Sequence, residues 1–131
     1  MTLLVDSSAW IEFIRGTGAE VGRSVRRAID GGEAATTDAV RLEVLAGSYR
    51  EPGRSDLTAF LDGCIDLSQS ARNDVESAVD IYHVCRRSGE TIRSLNDCLI
   101  AAIAIRHGVA VLHDDRDFDV MARYTDLRVA S

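Results

Sequence analysis

A chain of 131 residues that is 46% hydrophobic can bury a core as one domain, residues 1–131, without disulfides or a structural metal. A formal net charge of −6 excludes broad electrostatic adhesion to nucleic acid, and the absence of lysine among 15 basic residues excludes Schiff-base chemistry and the lysine-dependent phosphate-binding loop. Three cysteines, Cys64, Cys85 and Cys98, are odd in number and lack CxxC spacing, and no apolar run reaches the roughly 20 residues that span a bilayer, so a reduced, unexported cytoplasmic protein with no membrane partner is expected.

In chain order, "LLV" (3–5) reads as a short strand, and "DSSAWIEFIRG" after it carries N-cap chemistry, then Trp10, Ile11, Phe13 and Ile14, then a glycine stop. Residues 19–30 place Val21, Val25, Ala28 and Ile29 at helical spacing before Gly31 and Gly32. "AATT" (34–37) is a strand, and Thr37 or Asp38 caps a helix running to about Ala46. Pro52 and Gly53 mark a turn, followed by a helix near 55–62 and a strand at "CIDL" (64–67). Residues 70–87 form a helix that Ser70 can cap, with Ala71, Val75, Ala78, Val79, Tyr82 and Cys85 on one face. Ser94 opens another helix ending at Arg106, His107 and Gly108; "VAVL" (109–112) is a buried strand, 118–124 a last helix and "LRVA" (127–130) a final strand. Strands alternating with helices call for crossover connections, which predicts a three-layer α/β/α sandwich with a mainly parallel central sheet.

The acidic residues follow from that frame. Ligand sites of open parallel sheets lie beyond the carboxyl ends of the strands, and Asp6 follows the first strand while Asp114 and Asp115 follow "VAVL". Asp6 is also a good helix cap, and Asp97 in "SLND" fits a capping box, so each has a purely structural alternative. Glu43 has no basic residue three or four positions away and borders the Val40, Val44, Gly47 stripe, so its partner must come from elsewhere in the fold or from a cation. Asp114, Asp115, Asp117 and Asp119 fall within six residues, a crowding that solvent or a cation must relieve. No histidine and cysteine constellation competes for zinc, so oxygen-loving Mg²⁺ or Mn²⁺, one or two ions, suits these carboxylates, and such ions typically serve phosphate chemistry.

"LLVDSSAWIEF", "EVLAG" (43–47), "NDCLIAAIAIRHG" (96–108) and "VLHDDRDF" (111–118) together resemble the PIN-domain ribonucleases, specifically the VapC toxins of type II toxin–antitoxin pairs. The ordered set spans nearly the whole chain. The resemblance implies a metal-dependent endoribonuclease acting on structured transfer or ribosomal RNA, homodimeric and silenced by a cognate VapB-type antitoxin. It carries the catalytic carboxylates onto Asp6, Glu43, Asp97 and Asp115, with Asp117 as an auxiliary metal ligand. Ser7 matches the hydroxyl residue usual after the first Asp, and Asn96 stands beside Asp97; both are candidates to hydrogen-bond the ligands. One departure concerns His113, where the family often has Thr or Ser. Arg50, Arg93 and Arg116 are the foremost candidates for RNA phosphates. The alternative is a non-catalytic interaction module of the same fold that binds an antitoxin or a structural cation.

Overall fold

In the computed structural model, which describes residues 1–130, the apolar runs form β1 (Leu3–Val5), β2 (Ala34–Thr36), β3 (Ile65–Asp66), β4 (Ala110–Leu112) and β5 (Val129–Ala130). The helices between them are α1 (Ser7–Arg15), α2 (Glu20–Asp30), α3 (Asp38–Gly47), α4 (Arg54–Asp62), α5 (Ala71–Arg87), α6 (Leu95–His107) and α7 (Arg116–Tyr124). The sheet order is β3-β2-β1-β4-β5 and each pairing is parallel, with Leu3 opposite both Ala34 and Ala110. Parallel neighbours need right-handed crossovers, and the chain moves outward through β2 and β3 before returning past β1 to β4. That reversal sets α1–α4 on one face and α5–α7 on the other, giving the expected three layers. It also creates a topological switch point between β1 and β4, where a parallel sheet leaves a crevice at its carboxyl edge.

The core explains why so few strand residues suffice. Leu4, Val5, Ala35 and Val111 are fully buried between the layers, joined by Trp10 and Phe118. Helix α6 is buried almost all round, through Cys98, Ile100, Ala101, Ala102, Ile103 and Ala104, and it stops at Gly108, whose φ of 68° is the left-handed cap that glycine adopts without strain. Cys85 and Cys98 are buried and Cys64 is partly buried; all three thiols are free, and burial pushes Cys98 up to about 12. No helix among the described residues is long and apolar enough to cross a membrane.

Three local expectations are corrected. The buried stripe of α5 is Asp74, Ala78, Ile81 and Cys85, while Val75 and Val79 are exposed. The reason is a charge pair: Arg106 donates to both oxygens of the buried Asp74 at 2.7 and 2.9 Å, and the Ser70 N–H adds a third bond at 2.6 Å, which turns Asp74 inward. The last helix starts at Arg116 rather than Phe118, because Asp115 caps it by accepting the Asp117 N–H. Neither Thr37 nor Asp38 supplies a side-chain cap to α3; Gln69, from the loop after β3, accepts the Ala39 N–H at 2.9 Å.

Candidate active site

Each edge of the crevice is built by an aspartate that serves the backbone with one oxygen. The Asp6 N–H donates to the Leu112 carbonyl at 2.9 Å, which locks the ends of β1 and β4 side by side. Asp6 Oδ2 caps α1, accepting the Ser8 N–H at 3.0 Å and the Ser8 hydroxyl at 2.6 Å, and Ser8 Oγ accepts the Asp114 N–H at 2.9 Å. Helix capping is therefore true of Asp6, but only of Oδ2. Oδ1 is buried without a hydrogen-bond partner, an expensive state for a carboxylate unless a cation meets it. Burial is the largest cause pushing the Asp6 pKa up, and the Asp115 charge adds to it.

Two further carboxylates converge from the helices. Glu43 reaches in from α3, and its Oε1 is likewise buried and unpartnered. Burial, with the Asp6 and Asp115 charges, raises its pKa, while Asn96 and Ser7 beside it pull the other way. Asn96 also donates to the Ala39 carbonyl at 3.2 Å, tying the start of α6 to α3. Asp97 is only 5% exposed. Burial first, then the charges of Asp6, Glu43, Asp115 and Asp117, push its pKa up to about 8. The capping-box reading fails here. Ser94 makes no side-chain cap bond, and the Asp97 N–H meets only the Ser94 carbonyl at 3.1 Å, so the Asp97 carboxylate is free to face the crevice.

The fourth wall is the acidic stretch after β4. Asp115 Oδ1 accepts the Asp117 N–H and an Arg93 Nη2–H, each at 3.0 Å. Asp117 is buried, and its Oδ2 accepts the Arg93 N–H and Nε–H at 3.1 and 3.2 Å. His113 takes over a turn-forming role that a serine or threonine would otherwise fill: Nδ1 accepts the Asp115 N–H at 3.0 Å. Its ring packs 5.3 Å from Phe118, and Nε2 lies 3.3 Å from Asp119, so the imidazole helps set the position of Asp115. Asp119 sits in the first turn of α7, as expected for a dipole partner, and Asp114 is exposed.

The predicted carboxylates therefore meet in two adjoining groups, Asp6, Glu43, Asp97 and Asp97, Asp115, Asp117. In each, one ligand atom per residue lies within 4.8 Å of the others, and Asp97 belongs to both. A set of hard oxygen donors with two orphaned buried oxygens fits Mg²⁺ or Mn²⁺. Of the arginines, Arg116 is exposed with no hydrogen bond or ion pair to any described residue, Arg50 is stacked on Tyr49, and Arg93 is turned onto Asp115 and Asp117. A groove of about 600 Å³ lies between α5 and α6; it is mainly apolar, lined by residues such as Val79, Tyr82 and Leu95 together with Arg93 and Asn96. Sequence reasoning missed the Ser8 relay, whose only trace is the doubled serine after Asp6. It also missed the Arg93 clamp, which has no trace because 22 and 24 residues separate the partners.

Comparison with known proteins finds both sequence relatives and solved structures of the same fold. Residues 3–124 match the PIN domain. The chain is 41% identical over 131 residues to ribonuclease VapC11 of Mycobacterium tuberculosis, covering 98% of both proteins. Among solved structures, VapBC2 from Rickettsia felis bound to a promoter DNA fragment superposes with a TM-score of 0.73 at 16% identity, covering 99% of this chain and 98% of the other. The sarcin–ricin-loop-cleaving toxin VapC20 of M. tuberculosis superposes with a TM-score of 0.66 at 17% identity, covering 97% and 99%.

Proposed function

Because the chain belongs to the PIN-domain family, among the VapC ribonucleases, we propose that it is a metal-dependent endoribonuclease, the toxin of a VapBC-type pair acting in the cytoplasm on structured RNA, transfer or ribosomal. The observation that carries this reading is the convergence of Asp6, Glu43 and Asp97 with two buried carboxylate oxygens unpartnered, a cost the fold bears without structural return. Asp6, Glu43 and Asp97 would hold Mg²⁺ or Mn²⁺, with Asp115 and Asp117 in the adjoining group that shares Asp97. Bound there, a divalent ion supplies a Lewis acid that makes water nucleophilic near neutral pH and neutralises charge developing on phosphate oxygens.

The rest of the chemistry falls to the protein's own side chains. Ser8 and His113 fix the backbone on which Asp6 and Asp115 are displayed, and Ser7 and Asn96 steady Glu43. Arg116, next to Asp115 in the chain, is exposed and makes no hydrogen bond or ion pair to any described residue, which leaves it available to an RNA phosphate. Overall acidity keeps nonspecific RNA binding weak, so target choice rests on shape and these few arginines. A VapB-type antitoxin and a homodimer are the expected protein partners, and the apolar groove between α5 and α6, with Val75, Val79 and Leu95 exposed, provides surface for such contacts.

The test is to sequence RNA ends after brief expression of the wild type and of the Asp6→Asn, Asp97→Asn double variant. New ends clustered in one structured RNA, present only with the wild type, support the assignment. Identical end maps overturn it.

A further inference from the structure

The two carboxylate groups are not equivalent. Asp6, Glu43 and Asp97 come together with no ion pair to any described residue, and Asp6, 2% exposed, keeps Oδ1 buried and unpartnered. The adjoining group already has a cation. Arg93 Nη2 is 3.0 Å from Asp115 Oδ1 and Nε is 3.2 Å from Asp117 Oδ2, the fork geometry in which a guanidinium binds two carboxylates. The Arg93 backbone N–H bonds the same Asp117 oxygen, and the preceding Ile92 is buried, so the arm is anchored at its root. Its side chain is 70% exposed, and Nη1 makes no hydrogen bond to any described residue.

We infer that Arg93 stands in for a second divalent ion: the chain holds one resident cation on Asp6, Glu43 and Asp97, and the guanidinium fills the Asp115 and Asp117 half of the centre. This rests on the metal reading above and fixes its stoichiometry. Charge balance argues the same way. With Arg93 in place, Asp115 and Asp117 together carry a net charge of −1, whereas a second divalent ion arriving there would meet a fixed positive charge and would have to break the charge-assisted hydrogen bonds first. In the other half, nothing has to leave.

The experiment is a Mn²⁺ titration of the full chain by calorimetry, with bound ions counted by electron paramagnetic resonance. It compares the wild type, Arg93→Met, and Arg93→Met combined with Asp117→Asn. The wild type should bind one ion per chain, with any second ion at least about tenfold weaker. Arg93→Met should bind two, and the added Asp117→Asn should return the count to one. Thermal unfolding in chelator should show Arg93→Met destabilised relative to the wild type, because Asp115 and Asp117 lose their counterion. Two ions of comparable affinity in the wild type, or one ion in Arg93→Met, would overturn the inference while leaving the metal reading intact. No Mn²⁺ binding by any of the three would overturn both.

Discussion

Replacing Asp97 with Asn should stabilise the metal-free protein while abolishing its metal affinity. Asp97 is nearly fully buried among four other carboxylates, and its pKa stands at about 8 against an ordinary value of 3.8. The unfolded chain releases this proton near pH 4 and the folded chain holds it to about pH 8, so between those limits the unfolded state binds fewer protons and stability falls as pH rises. At about 1.4 kcal/mol per pH unit, the penalty at pH 7 is on the order of 4 kcal/mol as an upper bound, and relaxation with water penetration brings it to about 2 kcal/mol. For a domain of this size that corresponds to roughly 6 °C in Tm. Asn keeps the shape and removes the titration. Thermal unfolding in chelator from pH 5 to pH 8 should therefore show the wild-type Tm declining and the Asp97→Asn Tm higher and flatter at pH 7. A wild-type curve that is flat across this range, or an Asn variant no more stable at pH 7, would show that the buried Asp97 carboxylate costs the fold nothing.

The same electrostatics make saturating Mn²⁺ stabilising: at one hundred times its Kd the wild type should gain about 2.7 kcal/mol, read as a Tm rise that excess chelator reverses. Arg106→Met strands the buried Asp74 and should cost about 2–3 kcal/mol in a denaturant titration, discounted because Arg106 is about a third exposed, without changing Mn²⁺ affinity. Acid should expose the same pair, since the Arg106 hydrogen bonds hold the Asp74 carboxyl below its usual range and that stabilisation is lost as pH falls through it. His113→Leu orphans the Asp115 N–H and should weaken Mn²⁺ binding about fivefold, the equivalent of one neutral hydrogen bond. His113→Asn, with an acceptor near the place of Nδ1, should stay within about twofold.

How much of this was written in the sequence depends on range. The strand and helix order is local information, carried by short apolar runs, glycine stops and helical periodicity, and every predicted element is present with ends shifted by a residue or two. The convergence of Asp6 and Asp115 was legible because a parallel sheet sends its strand ends to one edge, and Asp97 because it opens a helix that is apolar almost all round. Glu43 was legible because it lacked a local partner. What periodicity could not supply were bonds between distant residues. The Asp74–Arg106 pair spans 32 positions and rotates α5 away from its most apolar face. Gln69 caps a helix that begins about 30 residues earlier. Arg93, a candidate phosphate contact, lies on two aspartates that follow it by more than 20 residues. His113 looked like a departure from the family pattern, yet its Nδ1 provides the turn acceptor the position requires.

Whether these carboxylates are gathered to hold a cation for RNA cleavage is read from RNA cleavage by purified wild type and Asp6→Asn, each in Mn²⁺ and in excess chelator, with circular dichroism confirming the fold. Wild type should cut only in Mn²⁺, and Asp6→Asn, folded, should cut in neither. Cleavage that survives chelation, or that persists undiminished in Asp6→Asn, would mean that these carboxylates hold no catalytic cation.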